Sequence, residues 1–377
     1  MAMSVTEYGL VKNDDGSMCF TIRPDDTPFP GVCSLALEES TTNYIDFFNS
    51  SPELLFTHGS GDQPVVEINE VVNIDGFVKT WHIKITASGT ASGWDCRLAY
   101  WNVTATENET WASSEYVKFL RLEGVTFKSW LAATDASDTW LDSTTYSVGE
   151  TIPWQRQILQ ITTPAGTEKI RHVLWIYDID AGDEIEFYVT YVQLEKKEFA
   201  TSFVNGSRPE SKFRFLFPES PINWVVAFWI KPMYYPSSTP EHYAFQLYKS
   251  SDDRYNLKLH TSDDRMIFEY YDGTSVYYVG SPSGVFPALN EWSFVVYWFD
   301  APTAKIYLNG EKVAEGELSN YGTSDYTFQW FQDQGTLKLS GLISNFCIGK
   351  AKDSSGNLVW TDSYIQEVYN ARAPFAK

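Results

Sequence analysis

Between Glu291 and Gly316 the chain reads EWSFVVYWFDAPTAKIYLNGEKVAEG. Two apolar runs, 292–299 and 304–308, are followed by Asn309-Gly310 and a third short run. Asn-Gly supplies the two positive-φ residues that a type I′ turn demands, and that turn matches the right-handed twist of paired strands. A β-hairpin is therefore expected over 305–314. Little elsewhere competes with sheet. Helical periodicity is confined to 364–372 (YIQEVYNAR), and the rest of the chain alternates short apolar runs with clusters of Gly, Asn, Asp, Ser and Thr. Strands recurring at such spacing point to β-sandwiches.

In the first half the clearest strands are expected at 78–85, 96–103, 116–122, 157–162, 169–176 and 184–194. Over 78–85, Trp81, Ile83 and Ile85 share one face and Thr80, His82 and Lys84 the other, the pattern of a half-buried antiparallel strand. In the second half strands are expected at 213–217, 224–230, 256–260, 266–271, 276–280, 292–299, 304–308, 327–332, 335–339 and 343–348. The run 224–230 (WVVAFWI) is apolar on both faces and reads as a central strand. Asn205–Lys212 (NGSRPESK) is polar and carries Gly and Pro, so the domain boundary is placed there. The expectation is an all-β chain of two tandem antiparallel sandwiches: an extended N-terminal arm over 1–34, a jelly roll over 35–205, a linker over 206–212 and a second sandwich over 213–377. Pro24, Pro28 and Pro30 with little periodicity mark the arm, which is read as an anchor on another protein.

Hydrophobic residues make up 43% and aromatics 16% of the 377 residues, which is enough apolar material for two cores and excludes a disordered chain. Formal charge is −21, from 49 acidic against 28 basic residues. Such a field repels phosphate backbones, and no Lys/Arg cluster larger than Lys196-Lys197 offsets it, so nucleic-acid binding is not expected. The opening MAMSVTEYGLVKNDD lacks a basic segment followed by an apolar run, and no stretch approaches a membrane span, so neither a secretory leader nor membrane insertion is expected. Cys19, Cys33, Cys96 and Cys347 are far apart and read as free thiols.

The second half resembles the concanavalin A-like, laminin-G-like lectin/glucanase superfamily. The residues carrying the resemblance are Ala227–Pro232 (AFWIKP), Glu291–Phe294 (EWSF), Lys305–Gly310 (KIYLNG), Gly341–Phe346 (GLISNF) and Glu367–Asn370 (EVYN). The first half resembles a galactose-binding, carbohydrate-binding-module jelly roll through Glu38–Ile45 (EESTTNYI), Tyr116-Val117-Lys118, Trp154-Gln155-Arg156 and Val192–Phe203 (VQLEKKEFATSF). The last phrase is similar to a signature common in phage and prophage tail and structural proteins. The pairing of modules is similar to tail-fibre, receptor-binding and head-decoration proteins. The resemblance implies a non-enzymatic virion protein of a bacteriophage, in a tail fibre, tail tip or capsid decoration. It would be made in the host cytoplasm, displayed on the virion surface as a homo-oligomer, held to other virion proteins by the arm, and attached to host cell-surface glycans. A purely structural assembly protein and a glycan-degrading enzyme are the competing readings.

Glycoside hydrolysis needs two carboxylates about 5–9 Å apart across one sugar. The acidic triplet that glucanases of the resembled superfamily carry on one strand is missing from the second half; Asp183-Glu184-Ile185-Glu186 is the nearest look-alike and reads as a strand edge. The five histidines show no paired spacing, and neither a nucleophile elbow nor a phosphate loop occurs. No catalytic residue is therefore assigned. Sugar binding by sandwiches uses exposed aromatic rings with polar groups at their edge. Trp81, Trp229, Trp292 and Trp298 lie in strand patterns and read as core; Trp111, Trp130, Trp140, Trp330 and Trp360 sit beside polar clusters. The preferred loop is WLAATDASDTW, with Trp130 and Trp140 around Asp135 and Asp138, and Trp330 is a further glycan candidate. Asp252, Asp253, Asp263 and Asp264 fall at loop positions, where hard oxygen ligands can bind Ca2+. Turn-forming aspartate is the competing reading.

Overall fold

The computed structural model describes all residues except 1, 2, 6–8, 14–17, 39, 50, 210, 235–240, 331–339, 376 and 377. The described residues are β throughout apart from one helix, Asp362–Ala371. They form two compact units, and one is interrupted in sequence by the other. The host unit comprises Met1–Ser40 and Pro209–Lys377; the inserted unit is Thr41–Arg208.

In the host unit one hydrogen-bonded path runs from Val276–Gly280 through Arg265–Tyr271, Asp253–His260, Glu241–Ser250, Thr327–Trp330 and Lys212–Leu216 to Met18–Arg23. It continues through Ser34–Leu37, Ser340–Gly349, Asn223–Tyr234, Ser293–Asp300 and Thr303–Leu308 to Glu311–Glu317. The two halves of this path press their apolar faces together, as ring contacts across the core record: Phe228 with Phe245 at 6.0 Å, Trp224 with Phe268 at 5.4 Å and Phe245 with Tyr297 at 5.8 Å. The doubly apolar run WVVAFWI has a simple cause. Trp224, Val226, Phe228 and Ile230 enter this core, while Val225, Ala227 and Trp229 enter a second one closed by Ile365 of the helix. Trp229 stacks on Tyr369 at 5.7 Å. Thr361 caps the helix, its side chain accepting from the Tyr364 amide, and Arg372 ends it in the left-handed conformation. The Asn309-Gly310 hairpin joins Thr303–Leu308 to Glu311–Glu317 with φ of 52° and 83° at its centre.

The N-terminal residues correct the expected arm. Met18–Arg23 pairs with Lys212–Leu216 and with Ser34–Leu37, and Ser34–Leu37 pairs with Ser340–Gly349, so this segment links the two halves of the host sheet path. Val11, Phe20 and Leu37 are buried in the main core. The three prolines fall in the connection after Arg23, where a missing N–H breaks no ladder. Strands this short leave too few alternations to be read from sequence. The expected strand at 335–339 lies outside the described residues.

The inserted unit is a sandwich of two five-stranded antiparallel sheets. One is ordered Gln155–Thr162, Thr110–Leu122, Glu184–Glu195, Phe77–Thr86, Val65–Ile74; the other Trp140–Val148, Thr126–Thr134, Lys169–Ile179, Trp94–Thr104, Glu53–Thr57. Between the sheets Phe119 meets Phe127 at 4.7 Å and Phe187 at 5.1 Å. This core also holds Glu115 and His172, both 0% exposed and 3.5 Å apart. Burial pushes the Glu115 carboxyl up to about 8 and the His172 imidazole down to about 3, so both are neutral at pH 7.

The two ends of the inserted unit are tied together. Thr41–Thr42 pairs with Ser207–Arg208. Asn43 donates to the carbonyls of Val192 and Val204 and accepts from the amides of Ile45 and Leu194. Buried Glu195 accepts from Thr41 at 2.5 Å, Gln193 at 2.6 Å, and the hydroxyl and amide of Thr201 at 2.6 and 2.9 Å. The phrases EESTTNYI and VQLEKKEFATSF thus meet as one buried polar clasp.

Candidate functional site

The strands Thr126–Thr134 and Lys169–Ile179 alternate inward apolar residues with outward aromatic and basic ones. Phe127, Ser129, Leu131 and Ala133 on the first, and Ile170, His172, Leu174 and Ile176 on the second, are buried. Their partners in the period-2 pattern, Lys128, Trp130, Lys169, Arg171, Trp175 and Tyr177, are half-buried on the outer face. Trp140 joins them because it pairs with outward Thr134, after an irregularity in the register at Ala133.

Four rings converge there. Trp130 and Trp140 meet edge to face with centroids 5.1 Å apart, Trp175 lies 5.9 Å from each, and Tyr177 stacks on Trp175 at 4.5 Å. Cations lace the cluster: the Arg97 guanidinium lies 3.5 Å from the Trp175 centroid, and Lys128 Nζ is 5.8 Å from Trp130 and 4.9 Å from Tyr177. Register fixes this arrangement, since Trp175 pairs directly with Lys128 on one side and Arg97 on the other. Burial lowers the Arg97 pKa and pushes the Tyr177 phenol up to about 12.

The two predicted tryptophans are therefore brought together, and their predicted aspartates divide. Asp138 accepts from Lys169 at 2.7 Å and pairs with Arg171, and the Lys169 and Arg171 hydrogen bonds hold its carboxyl below the usual range. Asp135 is a turn former: its carboxylate accepts from the amides of Ser137 and Thr139, both at 2.8 Å. Trp111, 1% exposed, and Trp360, 6% exposed, are core. Trp330 ends the strand Thr327–Trp330, and its side chain lies outside the described residues. Trp175, Tyr177, Arg97 and Lys128 were missed as site residues. Alternation along 169–176 marks an outward row, but only the pairing of three distant strands turns it into a site.

The other sheet also exposes rings. Trp154 meets Phe77 at 4.6 Å, and His82 stacks on Tyr188 at 4.7 Å. Charges here are paired: Asp75 accepts from Lys118 and from Trp154 Nε1, both at 2.8 Å, and His82 faces Glu186 at 2.8 Å. Glu184 pairs with Arg121. Glu184 and Glu186, the carboxylate look-alike, are each engaged by a basic side chain rather than turned toward a shared space.

The four aspartates named for Ca2+ do not converge. Asp252 and Asp253 lie at the start of the strand Asp253–His260, and Asp263 and Asp264 lie beyond its end, roughly 25 Å away at 3.3 Å per residue. Asp253 instead accepts from Tyr326 at 2.5 Å and Tyr270 at 3.2 Å, and Asp263 pairs with His260 at 2.6 Å and Arg265 at 2.8 Å. Asp252 accepts from Ser251, and Asp264 takes a φ of 50° in the turn. Among the described residues no group of three or more His, Cys, Asp or Glu could hold a metal ion.

Residues 216–351, in the host unit, match the family profile described as the concanavalin A-like lectin/glucanases superfamily. This region of the chain is similar to lectin/glucanase-type sandwiches. Among curated proteins none matches. Solved structures to which the chain is similar include domain 4 of the extracellular GH43 arabinanase AbnA of Geobacillus stearothermophilus, in complex with arabinotriose (18% identity, 42% of this chain and 73% of that one, TM-score 0.35). A heptameric SAP-like pentraxin of Limulus polyphemus is similar at 18% identity, over 42% of this chain and 75% of that one, with TM-score 0.32. The CBM40 of the Ruminococcus gnavus IT-sialidase is similar at 15% identity, over 40% of this chain and 84% of that one, with TM-score 0.30. No helix among the described residues is long and apolar enough to cross a membrane.

Proposed function

We propose that this protein binds carbohydrate without altering it, through the outer aromatic face of the inserted sandwich. The observation that carries the reading is the convergence of Trp130, Trp140, Trp175 and Tyr177 from three adjacent strands. Half-exposed rings offer apolar surface to the C–H face of a sugar, and polar groups at their edge fix its orientation. Because the rings brace one another, little side-chain freedom is lost on binding. The engagement of Glu184 by Arg121 and of Glu186 by His82 supports binding over hydrolysis.

We further infer a place on a bacteriophage particle, as a tail-fibre, tail-tip or capsid-decoration protein present in many copies. The Val192–Phe203 phrase supports this by resemblance, and multiplicity would convert weak single sites into firm attachment. Mass spectrometry of purified particles tests the location. Glycan-array screening followed by calorimetry tests the binding: Trp130→Ala is expected to weaken the best glycan by about tenfold or more. Unchanged affinity in that variant, or no bound glycan on a broad array, would sink the carbohydrate reading.

A further inference from the structure

With 49 acidic residues for 28 basic ones, a cation in this chain ordinarily has a carboxylate beside it. Within the inserted unit Lys118, Arg121, Lys169, Arg171 and Lys196 all do. Arg97 and Lys128 differ. Neither makes a hydrogen bond or ion pair to another described residue, and both are held in place by rings. They flank Trp175 as its direct cross-strand neighbours, so the three side chains form one row with spacings of about 5 Å.

We propose that the ligand of this face is an anionic glycan, one bearing carboxylate or phosphate groups, gripped by Arg97 and Lys128 on either side of Trp175. This deepens the carbohydrate-binding reading of the same face and rests on it. The acidic groups nearby do not oppose it. Asp138 is neutralised by Lys169 and Arg171, and Asp95, which acts on Arg97 through space without an ion pair, is itself buried. Arg97 is partly desolvated against Trp175, and its guanidinium makes no hydrogen bond to another described residue. An incoming anion therefore restores interactions that the guanidinium lost from water, and charge-assisted hydrogen bonds are the stronger kind. The net charge of −21 is no barrier. At physiological ionic strength the field of distant carboxylates is screened beyond about 8 Å, whereas a contact pair on a half-buried face is screened far less.

The test uses the full chain in calorimetry with three probes: oligogalacturonate, the same oligomer reduced at its carboxyl groups to a neutral sugar, and a glycerol-phosphate polymer. A broad panel of neutral glycans is run alongside. Wild type is expected to bind at least one anionic probe about tenfold or more tightly than the reduced oligomer, and the two anionic arms show which group is preferred. Arg97→Gln with Lys128→Gln should bring charged and reduced probes within about twofold of each other. Lys128→Gln alone, which disturbs one half-exposed side chain, should remove part of the difference with an unchanged melting temperature. Equal binding of charged and reduced probes, a preference that survives the double substitution, or binding of neutral glycans only would each overturn the anionic assignment while leaving carbohydrate binding intact. If wild type binds neither the probes nor any panel member, both readings fall.

Discussion

The two sandwiches place their tryptophans differently. In the host unit Trp224, Trp229, Trp298 and Trp360 are buried, and the rings fill its two cores. In the inserted unit Trp81 and Trp111 are buried along with Phe47, Phe119, Phe127 and Phe187, but Trp130, Trp140, Trp154 and Trp175 lie half-buried on the outer faces. Each unit also buries a titratable pair: Glu115 and His172 in the inserted unit, Lys258 and Glu269 at 2.7 Å in the host unit. The host unit buries these tryptophans, while the inserted unit leaves a cluster of them at its surface.

The sharpest way to break this contrast is to truncate one tryptophan in each. Trp224→Ala should destabilise the host unit by about 3–5 kcal/mol, since the ring is 0% exposed and touches Phe217, Tyr255, Phe268 and Phe299. Trp175→Ala should cost only about 1 kcal/mol while removing glycan binding. Equal losses in denaturant unfolding would erase the distinction. Next in size is the clasp. Asn43→Ala strands two carbonyls and two amides in a buried site and should cost roughly 2–3 kcal/mol, read as proteolytic sensitivity arising within Thr41–Arg208.

A smaller effect separates the interiors by pH. Glu115 ionises near 4.5 when unfolded and about 8 when folded, so its contribution is complete below the first value and is lost as pH rises through the second. His172 runs the other way: its contribution is complete above 6.5 and is lost as pH falls toward about 3. Between pH 6.5 and 8 Glu115 is the member of the pair that matters. Unfolding free energy of the inserted unit should fall there by up to about 1.4 kcal/mol per pH unit, and Glu115→Gln should flatten the slope. A variant that tracks wild type across that range would show that the carboxyl is already ionised in the fold. The least effect is expected from Asp135→Ala, about 1 kcal/mol from two lost turn hydrogen bonds. Glycan affinity should be unchanged, in contrast to Trp130→Ala.

What could be read in advance followed local rules. The Asn309-Gly310 turn, the central strand around Trp229 and the short helix near Tyr364 each depend on a few adjacent residues, and each is found where local chemistry put it. The Trp130–Trp140 pair was legible for the same reason, because one hairpin brings both rings to one side. Trp175 and Arg97 were not, since their place beside Lys128 depends on which strands pair, and pairing is set by the whole sheet. The N-terminal strands failed as local signals for a related reason: Met18–Arg23 becomes a strand by hydrogen bonding to Lys212–Leu216, after the entire inserted unit. The phrases around Thr41 and Glu195, which carry the first half's family resemblance, tie the two ends of the inserted unit together.

That long-range pairing has a consequence for biosynthesis. Ser344 donates to the carbonyl of Cys33 at 2.8 Å across 311 residues of chain. A ribosome adding 5–20 residues per second leaves roughly 15–60 s between the appearance of these partners. During that interval the inserted sandwich can close on its own clasp, whereas Ser34–Leu37 waits as an open edge for the Ser340–Gly349 strand that covers it. The nascent host unit is thus the aggregation-prone half, and overproduction should be limited by chaperone supply until translation passes the Ser340–Gly349 strand.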